Sequence, residues 1–208
     1  MAMPGDELAI SLYRIGAIKF GRFKLTSGIE SPLYIDLRLA ITHPSIYRQL
    51  VRSMADLLSG FNIDVVAGIE TAGIPWASMV AYELGKGIIY VRKEAKEHGM
   101  ARLVEGDLRQ GMRVAVIDDV VTTGGSIIRA IRVVRSHGGD VVVAAAFIDR
   151  EQGGLDAIRR EGVNAVALLR ITEMIDILVK NGLISDELRN SIINYLVSTR
   201  VNPGTQTN

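Results

Sequence analysis

Two adjacent carboxylates, Asp118 and Asp119, stand just ahead of a loop of small polar residues, Thr122-Thr123-Gly124-Gly125-Ser126. Carboxylates accept hydrogen bonds, and the hydroxyls of a sugar are suitable donors. Glycine lets the backbone approach a ligand closely, and the free N–H groups that open a helix favour an anion such as phosphate. Together these residues suit a phosphorylated sugar. The loop lacks the Gly-Lys-Ser/Thr of a Walker A sequence and the Gly-x-Gly-x-x-Gly of a dinucleotide site. A strand end with a solvated acidic pair and an ordinary helix cap is the plainer alternative.

Three further loops carry polar chemistry. Arg92-Lys93-Glu94-Ala95-Lys96-Glu97-His98-Gly99 gathers cations able to neutralise an anion, although its mixed signs also suit a solvated loop. Asp149-Arg150-Glu151-Gln152-Gly153-Gly154 contains an arginine, which can grip a carboxylate through two parallel hydrogen bonds. A surface pair between Arg150 and Glu151 or Asp149 is the competing reading. Gly68-Ile69-Glu70-Thr71-Ala72-Gly73 is either a second backbone cradle for an anion or a plain strand-to-helix connection.

The elements that must position these loops follow from periodicity. Val114 to Ile117 is a short β-branched run of buried-strand type, running into the acidic pair. Ile127, Ile128, Ile131 and Val134 then repeat at helical spacing until His137-Gly138-Gly139 stops the helix, and Val141 to Ile148 forms the next strand. Strands are also expected at 64–69, 87–91 and 164–169, and helices at 75–84, 153–161, 172–181 and from Ser185 to Val197. Pro75 is expected as the first residue of its helix. Near the N-terminus, 4–18 and 44–61 read as amphipathic helices on either side of two short strands, 23–28 and 32–36. Strands alternating with helices predict an α/β fold with a mainly parallel central sheet, helices on both faces and a small N-terminal hairpin region. In such sheets ligands bind beyond the carboxyl ends of the strands, where the four polar loops are expected.

Composition narrows the class. The 208 residues suit a single domain, with 1–45 as helix and hairpin, 46–200 as core and 201–208 as a disordered tail. Hydrophobic residues make up 48% and charged residues 23%, a globular balance. A net charge of +1 gives no reason to expect a nucleic-acid partner. Cysteine is absent, which removes disulfides and thiolate metal sites and is compatible with the cytoplasm. No apolar run reaches membrane-spanning length, and the first residues lack a signal-peptide pattern.

The apolar strand, acidic pair and Thr-Thr-Gly-Gly-Ser loop resemble the phosphoribosyl pyrophosphate signature of type I phosphoribosyltransferases. The Arg-Lys-Glu-x-Lys-x-His-Gly loop and Asp-Arg-x-x-Gly-Gly resemble the orotate phosphoribosyltransferase family. This likeness covers recognisable pieces of about residues 16–155. It implies that Asp118 and Asp119 hold the ribose and that Val120, Val121, Thr122, Thr123, Gly124, Gly125 and Ser126 cradle the 5′-phosphate. It assigns pyrophosphate contacts to Arg92, Lys93, Lys96 and His98, with Lys96 counted as catalytic beside the two aspartates. Orotate binding carries over to Arg150 and Thr122. The resemblance also implies Mg²⁺ held mainly by substrate and water. It further implies a mobile loop at 92–106 and a homodimer whose 92–100 loop is shared between subunits.

The sequence departs from that family at two places. Family members often carry a lysine in the loop after the first core strand, where this chain has Thr71-Ala72-Gly73. They also often read Leu-Lys-Ser-Gly in the hairpin, where Leu25-Thr26-Ser27-Gly28 follows Lys24 here. Lys24, two positions away along a strand, is a candidate replacement on the same face. A phosphoribosyltransferase for another base, or a nucleic-acid-binding sensor on the same fold, are the rival readings. A fusion with the next enzyme of the pathway is not expected at this length.

Overall fold

The computed structural model describes residues 4–24, 30–94 and 103–200. The turn at Leu25–Gly28, both Lys96 and His98 of the cationic loop, and the tail at 201–208 lie outside the described residues. Among the described residues no helix is long and apolar enough to cross a membrane.

The central sheet is built from β3 (Val65–Ile69), β4 (Gly87–Val91), β5 (Val104–Glu105), β6 (Arg113–Val121), β7 (Asp140–Asp149) and β8 (Asn164–Arg170), in the order β5-β4-β3-β6-β7-β8. All neighbours run parallel except β5, which pairs antiparallel with β4. Side chains alternate across a strand, and the alternation here feeds two cores. Val66, Ala115, Ile117, Val143, Ala145 and Phe147 face α2 (Pro44–Leu58) and α3 (Gly73–Leu84). Val65, Ala67, Val114, Val116, Ala144 and Ala146 face α4 (Gly125–Ser136) and α5 (Gly154–Arg160). Burying a branched aliphatic side chain contributes about 1.5–3 kcal/mol, so strands covered on both faces read as continuous apolar runs.

An antiparallel hairpin, β1 (Ile18–Lys24) with β2 (Glu30–Ile35), lies outside this sheet. Its Leu33 and Ile35 pack with Ile171 and Ile175 of α6 (Ile171–Lys180) and with Ile192, Tyr195 and Leu196 of α7 (Asp186–Ser198). The hairpin is thereby fixed against the C-terminal helices. Ser185 caps α7 by accepting from the Leu188 N–H at 3.3 Å, an arrangement that contributes about 0.5–2 kcal/mol.

Several boundaries differ from the sequence reading; the first hairpin strand, expected at 23–28, is β1 at Ile18–Lys24, and the helix expected at 44–61 ends at Leu58. The first helix, α1, covers Pro4–Arg14 and does not run to Ile18, because Gly16 turns left-handed at φ 74°. Ile18 is still buried, but as the first residue of β1. Helix α3 begins at Gly73, so Pro75 is its third residue. A 3-10 turn at Leu37–Thr42 and the two-residue β5 were not expected; both are too short to generate periodicity. Strand β6 also continues through the acidic pair to Val121, with Asp118 beside Ala146 and Val121 beside Asp149 of β7.

Candidate functional site

The carboxyl ends of β3, β4, β6 and β7 converge on one edge of the sheet. Asp118 and Asp119 are the sixth and seventh residues of β6, and both border the cleft beyond its carboxyl end. Asp118 is 9% exposed and accepts from the Asp119 N–H at 3.0 Å. Asp119 in turn accepts from the Val120 N–H at 2.9 Å. Burial, then the neighbouring Asp119 charge, pushes the Asp118 carboxyl up to about 7. Burial also raises Asp119, opposed first by the Val120 N–H and, more weakly, by the charge of Arg38. That arginine is held by Asp36 through hydrogen bonds of 2.6 and 2.9 Å, just after the hairpin.

Val120, Val121, Thr122, Thr123, Gly124, Gly125 and Ser126 line a concavity with Asp118 at the start of α4. Gly124 occupies the N-cap position of α4, with φ 86°. No side chain caps the helix there, so its first N–H groups stand available to an anion.

Beside the cradle lies a cleft of ≈ 400 Å³ lined by Ile69, Glu70, Thr71, Ala72, Lys93, Asp118, Asp119, Ser126 and Arg129. That size falls within the range of small-molecule sites. The Glu70–Thr71 peptide is cis. Glu70 accepts the Lys93 N–H at 2.8 Å, and its own N–H donates to the Val91 carbonyl at 2.9 Å. From α4, Arg129 donates to the carbonyls of Arg92, at 3.1 Å, and Lys93. Arg92 itself lies at the root of the loop, 3.7 Å from Glu105 and donating to the Glu94 carbonyl at 3.2 Å.

Arg150 follows β7, and its N–H donates to the Val121 carbonyl at 2.9 Å, which seats the base of its loop against the cradle. Its Nε and Nη2 atoms are buried without a hydrogen-bond partner among the described residues. Burial lowers the guanidinium from its ordinary value, while Tyr195 on α7 favours its charge. Glu151 anchors the loop from its far side, accepting from both the N–H and the hydroxyl of Thr172 at 2.9 and 2.5 Å.

The sequence-predicted residues Lys93, Asp118, Asp119 and Ser126 thus share one cleft, and Thr122 sits in the adjoining cradle. Arg92 turns to Glu105, and Arg150 lies one strand away under α7. Lys24 ends β1. Arg129, Glu70, Arg38 and Tyr195 were not singled out from sequence. Arg129 and Tyr195 look like ordinary helix residues, and their neighbours are remote in the chain.

Residues 40–160 match the family model described as phosphoribosyl transferase domain. The chain is 43% identical over 190 residues to the orotate phosphoribosyltransferase of Pyrobaculum aerophilum, across 91% of this chain and 97% of that one. It resembles the crystal structure of orotate phosphoribosyltransferase from Aeropyrum pernix with a TM-score of 0.74 and 39% identity, covering 86% and 99% of the two chains. Its TM-score with Leishmania donovani UMP synthase is 0.84 at 33% identity. There the match takes in 93% of this chain and 42% of the longer one.

Proposed function

This chain belongs to the orotate phosphoribosyltransferase family, and we infer from its site how it moves the phosphoribosyl group of 5-phospho-α-D-ribose 1-diphosphate onto orotate, giving orotidine 5′-monophosphate and diphosphate on the route to UMP. The observation that carries the division of labour is the junction of carboxylate pair, helix-start cradle and cleft on consecutive residues of β6 and α4. The cradle would take the 5′-phosphate, and Asp118 and Asp119 would accept from the ribose hydroxyls. The diphosphate would then extend into the cleft toward Thr71 and Lys93.

As the bond from the anomeric carbon to diphosphate breaks and a nitrogen of the anionic orotate bonds to that carbon, positive charge grows on the ribose. The ionised aspartates favour that charge, and cations of the loop favour the leaving anion. Arg150 would grip the orotate carboxylate, since a buried guanidinium with unpartnered donors suits a bidentate anion. Thr122 would add a donor to the base from the cradle side. Lys96 and His98 are proposed to complete the diphosphate site.

The acidic pair has no third metal-ligating neighbour among the described residues. This donor set suits a hydrated Mg²⁺ held mainly through substrate oxygens and water. When bound, Mg²⁺ would supply charge neutralisation at the diphosphate.

A cytoplasmic homodimer with a shared 92–100 loop is also proposed. Met79 and Tyr82 on α3 support the dimer alone, being 40% and 79% exposed in a groove that also holds Ile41 and Val51 beside Arg48, Arg52 and Glu83. Sedimentation equilibrium tests this, and a monomer at working concentration would rule it out. Base specificity is tested by offering adenine, hypoxanthine and uracil against orotate; turnover confined to orotate is expected.

A further inference from the structure

We propose that Arg129 of α4 is a diphosphate-binding residue, supplying from the helix a cation that the Glu70-Thr71-Ala72 turn does not provide. The assignment rests on the phosphoribosyl-transfer reading above and deepens it.

A departing diphosphate is a polyanion, yet Glu70, Asp118 and Asp119 all border the cleft meant to receive it. Thr71 and Ala72, which also line it, carry no charge. Among the described residues lining the cleft, the cations are Lys93 and Arg129. Arg129 lies four positions after Gly125, the first residue of α4, so it stands one turn above the phosphate cradle on the same helix face. Its position is therefore fixed by the helix that opens the cradle.

The present contacts of Arg129 leave its charge available. It donates to two neutral carbonyls, those of Arg92 and Lys93, and it is paired with no carboxylate among the described residues. A guanidinium has five N–H donors in a planar fork, so two carbonyl bonds do not exhaust it. The nearby acid Glu70 has one carboxylate oxygen engaged by the Lys93 N–H. Arg129 thus joins the root of the cationic loop to the cleft, where its remaining donors suit phosphate oxygens.

A purely mechanical role is separable from a charge role. A strut that holds two carbonyls needs the arginine fork, which lysine lacks. A diphosphate contact needs chiefly the positive charge, which lysine keeps. Arg129 is exposed on a helix, and glutamine and lysine are both good helix formers, so the variants are expected to fold.

The test compares wild type, Arg129→Gln, Arg129→Lys and the double variant Arg129→Gln/Ala72→Lys. The readouts are the KM for phosphoribosyl pyrophosphate, product inhibition by pyrophosphate and the KM for orotate. Arg129→Gln is expected to weaken both diphosphate readouts about ten- to a hundredfold while leaving the orotate KM nearly unchanged. Arg129→Lys should keep most of the affinity. Ala72→Lys, a cation placed elsewhere in the lining of the same cleft, should recover part of it. Unchanged pyrophosphate inhibition in Arg129→Gln overturns the assignment. So does equal damage in Arg129→Lys with no recovery in the double variant, which marks a strut. Absence of orotate turnover in wild type would instead indict the transfer reading. Calorimetric binding of pyrophosphate to wild type and Arg129→Gln would still decide the role of Arg129.

Discussion

Gly124 and Gly154 pack backbone against backbone. A Cβ on Gly124 would lie 2.8 Å from the Gly154 carbonyl oxygen, and one on Gly154 would lie 3.0 Å from the Gly124 nitrogen. The phosphate cradle and the Arg150 loop therefore meet with no room for a methyl group between them. On the proposed assignment, the sugar phosphate and the base would be held by two loops in direct contact.

Gly154→Ala places its methyl 2.6 Å from the Thr122 carbonyl and from Val121 Cγ2. The cradle must shift, and of the core it is Val121, at the cradle's edge, that is pressed. We expect the KM for phosphoribosyl pyrophosphate to rise about tenfold or more, with a melting temperature lowered only slightly. Steady-state kinetics beside thermal unfolding checks the contrast. A normal KM would show that the two loops move independently.

The carboxyl of Asp118 sits near 7 because it is buried beside Asp119. A ribose hydroxyl needs the ionised form as acceptor, so kcat/KM for phosphoribosyl pyrophosphate should rise with pH to a plateau above about 7. On the acid side it should fall about tenfold per pH unit. Asp118→Asn should lower the plateau and remove this limb. The sign for stability is opposite. A carboxyl raised above its unfolded value stabilises the fold below the unfolded value of 3.8, and that contribution is lost as pH climbs through 7. Denaturation midpoints of wild type and Asp118→Asn should therefore diverge as pH rises from 3.8 to about 7, with the variant favoured at the higher pH.

Phe147 is fully buried, and its ring centroid lies 4.4 Å from that of Trp76, which is 4.8 Å from Tyr47. This row of rings ties α2 and α3 to the central sheet. Phe147→Ala should cost about 3–5 kcal/mol, from lost transfer energy and a residual cavity. Tyr47→Phe removes a 2.6 Å hydrogen bond to the Pro75 carbonyl and should cost about 1 kcal/mol. Urea unfolding of both variants would give the comparison.

Much of this architecture is legible in sequence because its strands are buried on both faces. Val114–Ile117 and Val141–Ile148 announce themselves as apolar runs, and the helices between them as 3.6-residue repeats. The first helix misleads because Ile15 and Ile18 continue its apolar spacing, although Gly16 ends it and Ile18 reaches the same core from β1. The acidic pair and its loop are contiguous in the chain, so their chemistry is readable before folding. Arg129 is not readable in this way. Its carbonyl partners lie 36 and 37 positions away, and only the parallel pairing of β4, β3 and β6 brings them together. Tyr195 and Arg150 meet for the same kind of reason, through the packing of α7.

Arg150 offers the most direct test of orotate recognition. Nε and Nη2 of its buried guanidinium have no hydrogen-bond partner among the described residues, so removing the side chain should harm binding without harming the fold. The measurement is the loss of orotate absorbance on mixing with phosphoribosyl pyrophosphate and Mg²⁺, for wild type and Arg150→Met, with melting temperatures recorded alongside. Turnover of orotate by wild type is expected, with kcat/KM for orotate at least about a hundredfold lower in Arg150→Met and an unchanged or raised melting temperature. An Arg150→Met enzyme that keeps its wild-type KM for orotate would contradict the carboxylate grip.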